Sequence, residues 1–193
     1  MTERHDWPVI ESEIEYETGW YTGGYDLVEQ PDGSTKKYYW AELPPATVVV
    51  ALVDGTRVES AEGVSGDADR YVVMVEQYRP TIREHCLELP AGIVEDGESF
   101  TDAGVRELRE ETGFEASSAS LLESFWCSTG VLRHERGIVF ADGLSPAPRK
   151  LDGNEFIDVR FVPADEALDH ARAAPANDAT LEGLLLAAEA ELL

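Results

Sequence analysis

A chain of 193 residues is long enough for one domain with a substantial core and a small appendage. Acidic side chains outnumber basic ones 39 to 15, a formal net charge of −24 with Lys36, Lys37 and Lys150 as the only lysines, which argues against partners that are nucleic-acid backbones or anionic membranes. No stretch approaches the roughly twenty apolar residues that span a bilayer, and the opening MTERHDWPVI has no apolar signal region, so a soluble, cytoplasmic protein is expected.

Residues 9–42 alternate polar and apolar side chains through Ile10, Ile14, Tyr16, Trp20, Tyr25, Leu27 and Tyr38-Tyr39-Trp40, which predicts three short strands. The last two are joined by a Pro31-Asp32-Gly33-Ser34 turn. A meander of this size has little core of its own and needs a surface to pack on. Pro44-Pro45 marks a boundary, which gives an N-terminal β subdomain over 1–42 and a main domain over 43–193. Within the main domain, strands are expected at Ala46–Val53, Tyr71–Arg79 and Leu87–Pro90, then a turn at Glu95-Asp96-Gly97 opening a helix over about 99–112. Further strands follow at Ala116–Cys127, Gly137–Leu144 and Phe156–Val162, with helices at Ala164–Arg172 and Ala179–Leu192. Strands alternating with helices predict an α/β sandwich with a mixed sheet. Cys86 and Cys127 lie in apolar segments without metal-ligand spacing and read as buried reduced thiols.

The helix over 99–112 is the chemically loaded element. At 3.6 residues per turn, Glu107, Glu110 and Glu111 share one face and repel each other, a cost that a hard divalent cation with oxygen ligands, Mg²⁺ or Mn²⁺, would offset. Arg106 can reach Glu110 at i+4 and orient it. The competing reading is a solvated acidic helix face, but acidic residues near a helix C-terminus oppose the macrodipole and need a compensating reason.

Gly92, five residues, Glu98, seven residues, Arg106-Glu107, an aliphatic residue, one residue, Glu110-Glu111, one residue, Gly113 and Phe114 together resemble the Nudix box at each of its fixed positions. The resemblance implies a Nudix α/β/α sandwich with the box helix on one face. Flanking segments are similar to the ADP-ribose pyrophosphatase branch of that family: Glu76-Gln-Tyr-Arg79, Glu88-Leu-Pro-Ala-Gly92, Ser128-Thr-Gly130 followed by Glu135, Asn154-Glu155, and Asn177-Asp-Ala-Thr180. The branch uses an N-terminal β subdomain to form a homodimer, so the resemblance also implies a second copy of the chain as partner. The sequence departs from the branch at Thr129, where proline marks ADP-ribose specificity, and at Gly153, where some members carry a second carboxylate.

What the resemblance implies is a Mg²⁺-dependent hydrolase that splits ADP-ribose or a related nucleoside diphosphate sugar into a nucleoside monophosphate and a sugar phosphate. Glu107, Glu110, Glu111, Glu155 and the Ala91 carbonyl would be metal ligands. The catalytic base is Glu155 or Glu135, with Asp152 behind them, and geometry rather than sequence chooses among them. Arg106 joins this catalytic group as the partner of the box carboxylates. Arg79 reads either as a phosphate contact or as an ordinary ion pair. Trp20, Tyr21 and Trp40 could stack on a base, or belong to core or interface. His134 reads as an exposed loop histidine, and Glu98 as a structural tie near the helix start. Two alternatives stand beside this: a Nudix enzyme acting on another nucleoside diphosphate compound, such as an oxidised nucleoside triphosphate or a dinucleoside polyphosphate, and a non-catalytic nucleotide-binding regulator, which usually loses box glutamates that this chain keeps. The lysine-poor acidic surface resembles that of proteins from salt-saturated cytoplasms, where screening suppresses self-repulsion.

Overall fold

Alternating and continuous apolar runs decide which strands of this protein are half-buried and which are central. A computed structural model describes residues 6–58, 61–66, 68–151, 153 and 155–193. Its strands are β1 (Val9–Glu17), β2 (Thr22–Glu29), β3 (Thr35–Glu42), β4 (Ala46–Asp54), β5 (Arg70–Arg79), β6 (Glu84–Glu88), β7 (Ala91–Ile93), β8 (Phe114–Glu115), β9 (Ser118–Trp126), β10 (Leu132–Arg133), β11 (Glu135–Asp142), β12 (Ser145–Pro146) and β13 (Ile157–Pro163). The helices are α1 (Phe100–Thr112), α2 (Ala167–Arg172) and α3 (Asp178–Glu189). Contacts divide the chain into two units, one of the segment up to Pro45 with Phe125–Glu135, the other of Ala46–Ser124 with Arg136–Leu193.

Three strands of the first unit form the meander expected over residues 9–42, and the unit also takes in Phe125–Glu135, which the sequence reading places in the main domain. β1, β2 and β3 pair antiparallel in order, and the β2–β3 turn closes with the Gln30 amide on the Ser34 carbonyl at 2.8 Å and Gly33 at φ 80°. Beside the β1 bulge the backbones approach so closely that a Cβ on Gly24 would lie 2.1 Å from the Glu13 carbonyl oxygen, which admits only glycine. The two-residue β10 adds a parallel fourth strand beside β3. Nothing in its sequence distinguishes it from a loop, because two residues carry no periodicity. β1 is exposed along its whole length.

In the second unit the sheet order is β13-β5-β4-β11-β9, with β4 antiparallel to β5 and parallel to β11, the expected mixed sheet. β4 reads Ala-Thr-Val-Val-Val-Ala-Leu-Val-Asp because both faces are covered. A Cβ on Gly104 of α1 would meet Thr47, Val49 and Val139, and one on Gly183 of α3 would meet Leu89, Val50 and Val48. Successive β4 residues therefore face α1 and α3 in turn, an α/β/α sandwich. The core on the α1 side joins Val49, Ala51, Val73, Leu108, Phe114, Val139 and Phe161. Cys86 and Cys127 are buried and form no disulfide among the described residues, as expected.

Two elements differ from expectation. The strand expected at Leu87–Pro90 lies earlier, as β6 pairing with β5 in a hairpin, and the Gly92 segment is itself strand β7 on β4. The hairpin turn runs through Arg83 at φ 63°, a left-handed residue without the glycine that usually announces it. α2 begins at Ala167 rather than Ala164, after a turn carrying Pro163.

Candidate active site

The site is built from α1 outward. Ser99 caps the helix reciprocally with Asp102, its Oγ accepting the Asp102 amide at 3.1 Å, and Gly113 ends it in the left-handed conformation at φ 75°. Removing that N-cap hydroxyl would cost about 1 kcal/mol. At the other end the last carbonyls are capped from outside the helix: Arg149 Nε donates to the Glu111 carbonyl at 2.5 Å and the Lys150 amide to the Glu110 carbonyl at 3.1 Å. A guanidinium at the C-terminus is the compensation that the misplaced acidic residues call for. Sequence reasoning misses Arg149 because its partner is reached only through the fold.

Glu111 is buried at 3 % exposure, and its Oε2 accepts the Ala91 amide at 3.0 Å. Burial pushes its carboxyl up to about 8, with the charges of Glu107 and Glu155 adding to the effect and the Ala91 bond and Arg79 opposing it. Glu107 is half-buried, and burial raises it as well, against the pull of Arg106. Gly92 is what lets the Glu107 carboxylate sit here, since a Cβ on residue 92 would lie 2.0 Å from its Cδ.

Arg106 ties the group together. Its Nε and Nη2 grip the two oxygens of Glu98, each at 2.9 Å, Nη2 also meets the Ile93 carbonyl at 2.8 Å, and Nη1 donates to Glu107 at 2.7 Å and Glu110 at 3.3 Å. The i+4 bond to Glu110 is thus its longest contact, and the bidentate bond to Glu98 across the turn is its main anchor. Glu98 is the structural tie expected from the sequence, with its carboxyl held below the usual range by Arg106.

Arg79, at the end of β5, pairs with Glu88 of β6 through Nε at 2.8 Å and Nη2 at 2.6 Å. Glu155 precedes β13, where its charge acts on Glu107 and Glu111. The second unit therefore brings together Ala91, Arg106, Glu107, Glu110, Glu111, Arg79 and Glu155. Trp20, Trp40 and Glu135 belong to the first unit, and Asp152 lies outside the described residues. Trp20 is 69 % exposed, whereas the Trp40 ring is covered by the Arg133 guanidinium at 3.9 Å and donates through Nε1 to Asp26 at 3.1 Å. His134 is not a bare loop residue, because its Nδ1 lies 2.8 Å from the Pro44 carbonyl oxygen.

Among the described residues no three acidic or imidazole groups converge as a closed metal cage. The Glu107 and Glu110 carboxylates point to Arg106 instead. The donor set nevertheless fits a hard cation: it is all oxygen, and two of its carboxyls are disfavoured as bare anions by burial, a cost that a bound cation removes.

A family model described as the NUDIX domain matches residues 44–184. The chain belongs to the Nudix family. Among the proteins similar to it, the methanol dehydrogenase activator of Bacillus methanolicus is 35 % identical over 75 % of this chain and 72 % of its own length. The ADP-ribose pyrophosphatase of Bacillus subtilis is 31 % identical over 73 % of this chain and 70 % of its own. A solved neighbour, the crystal structure of an ADP compounds hydrolase, superposes with a TM-score of 0.82 over 98 % of this chain and 96 % of that one, at 21 % identity, a likeness of fold.

Proposed function

We propose that this Nudix protein is a Mg²⁺-dependent pyrophosphatase that hydrolyses ADP-ribose, or a related nucleoside diphosphate sugar, to a nucleoside monophosphate and a sugar phosphate. The observation that carries the reading is the buried Glu111 carboxylate, held by the Ala91 amide beside Glu107 and within the field of Glu155. A carboxylate sunk this deeply with acidic neighbours is costly unless a cation joins it. Support for the substrate comes from relatives named ADP-ribose pyrophosphatase in Bacillus subtilis and ADP-sugar pyrophosphatase in mouse, the latter 36 % identical over 50 % of this chain.

The Nudix family generally uses divalent metal ions, and here Glu107, Glu110, Glu111, Glu155 and the Ala91 carbonyl would hold Mg²⁺, with Mn²⁺ as a substitute. Bound there, the cation would neutralise the diphosphate and lower the pKa of a water. The chain's own groups do the rest. Arg79 receives phosphate oxygens through the guanidinium edge that Glu88 leaves open, Arg106 keeps the box carboxylates in register, and Glu155 or Glu135 takes the proton of the attacking water. Trp20 and Trp40 are proposed for the nucleoside, Trp40 with one face already covered by Arg133.

The subdomain over 1–42 is proposed to form a homodimer, an idea supported by Val9, Ile10, Ile14 and Tyr16, all more than half exposed on β1. Among the described residues no helix is long and apolar enough to cross a membrane, and a cytoplasmic, salt-adapted setting fits the net charge of −24.

The test is incubation with ADP-ribose, Mg²⁺ and molar KCl, followed by separation of the products. Release of AMP and ribose 5-phosphate is expected. An inactive protein on ADP-ribose that is active on dinucleoside polyphosphates or oxidised nucleoside triphosphates would move the assignment to another Nudix branch, as the Thr129 departure allows.

A further inference from the structure

Glu88 is 9 % exposed and uses both oxygens on side chains from other elements. Oε2 accepts from Arg79 Nε at 2.8 Å and from Gln77 Nε2 at 3.0 Å and lies 2.6 Å from Arg79 Nη2 in the ion pair, while Oε1 accepts from Asn177 Nδ2 at 3.3 Å. Asn177 is the N-cap of α3, and its Oδ1 accepts the Thr180 amide at 2.9 Å. Thr180 Oγ1 in turn accepts the Leu89 amide at 3.2 Å, and one turn further along the helix Gly183 presses on Leu89, where a Cβ would lie 2.6 Å from Cδ1. The start of α3 thus fixes Glu88 and Leu89 at three points. Two residues on is Ala91, whose amide meets Glu111.

On the other side of Glu88, Arg79 is held by one edge. Its Nη1 has no partner among the described residues, its side chain is 44 % exposed, and its charge acts on Glu111. A free arginine samples many rotamers, whereas a guanidinium locked at Nε and Nη2 presents its remaining nitrogen in one direction.

We propose that Glu88 is a positioning residue for diphosphate recognition: braced by the Asn177 N-cap of α3, its carboxylate aims the open edge of Arg79 at the anionic oxygens of the substrate. This rests on the pyrophosphatase reading above. The plainer role for the same bonds is to staple α3 to the sheet, and the two make different predictions in an Arg79 background. A staple is needed whether or not Arg79 is present. A positioning residue has nothing to position once Arg79 is gone.

The experiment is a double-mutant cycle on the full chain with Glu88→Gln and Arg79→Ala, read by KM and kcat for ADP-ribose, by Kd for ADP and by thermal melting. Glu88→Gln alone is expected to raise KM and the ADP Kd about tenfold, the size of one lost charge-assisted hydrogen bond, with kcat changed less than threefold. In the Arg79→Ala background it is expected to change neither constant by more than about twofold. Additive effects in the two backgrounds would overturn the proposal in favour of the staple. Should Glu88→Gln fail to fold, Asn177→Ser replaces it, keeping a good N-cap while removing the donor to Glu88, with about a threefold rise in KM expected only when Arg79 is present. A wild-type protein without ADP-ribose turnover refutes the substrate reading. The cycle is then decided on the ADP Kd, and wild-type protein that does not bind ADP overturns the positioning proposal as well.

Discussion

The Ala91 amide donates to Glu111 Oε2 at 3.0 Å, so the strand entering the box and the last turn of its helix meet through one buried carboxylate. That bond leaves the Ala91 carbonyl and the second Glu111 oxygen for other work, and it makes Glu111 the pivot of the site. Glu111→Gln keeps the size and can still accept from Ala91, but removes the charge that a cation needs. Turnover is expected to fall by about three orders of magnitude while the metal-free melting temperature holds or rises, because a neutral amide escapes the burial cost of the carboxylate. Steady-state kinetics with thermal melting checks this, and near-wild-type turnover would remove Glu111 from the metal set.

The box helix and its acidic face are legible in the amino-acid sequence alone. The Glu95-Asp96-Gly97 turn that opens the helix, the i, i+3, i+4 spacing of the glutamates and the continuous apolar run of β4 are all local signals, and local signals fix the type of an element. What the sequence hides is non-local. Asn177 lies 89 positions from its partner Glu88, and Arg149 lies 38 from Glu111, so nothing within a window of the sequence links them. Arg106 shows the limit on a shorter scale. Helical spacing points to Glu110 at i+4, yet the turn at Gly97 brings Glu98 closer, and a bidentate bond to a fixed carboxylate outcompetes a helical side-chain pair.

The raised Glu111 carboxyl sets a pH dependence whose sign is fixed. In the folded, metal-free protein it titrates near 8, against an ordinary value of 4.5, so between these values the folded state holds a proton that the unfolded chain has released. Metal-free stability from this group is fully present below about pH 4.5 and falls as pH rises, levelling off above about 8. Mg²⁺ should displace that proton, so its binding should release protons near pH 7 and weaken as pH is lowered. Calorimetry in buffers of different ionisation enthalpy reads the proton count directly. Binding of Mg²⁺ with no proton release at pH 7 would show that Glu111 is already ionised.

Gly92→Ala tests the close approach behind Glu107. The added methyl would lie 2.0 Å from the Glu107 Cδ, and the side chain can escape by rotating away from the site. Activity is expected to drop at least a hundredfold while the melting temperature falls by only a few degrees, since the obstacle is the end of a flexible side chain rather than the backbone. A large loss of stability with proportionate loss of activity would mean that β7 itself shifts.

Glu98→Gln examines what the two-pronged grip on Arg106 is for. With Glu98 ionised, Nε and Nη2 are committed across the turn and only Nη1 reaches Glu107 and Glu110. A neutral partner loosens that commitment and leaves the guanidinium free to settle more fully on the two helix carboxylates, where it competes with a cation for the same oxygens. The expected signature is therefore a five- to tenfold rise in the Mg²⁺ concentration giving half-maximal activity, with turnover at saturating Mg²⁺ reduced far less. The direction discriminates between roles. Were Arg106 instead an essential contact to the substrate, the same substitution would lower turnover at every Mg²⁺ concentration and leave the half-maximal concentration where it was.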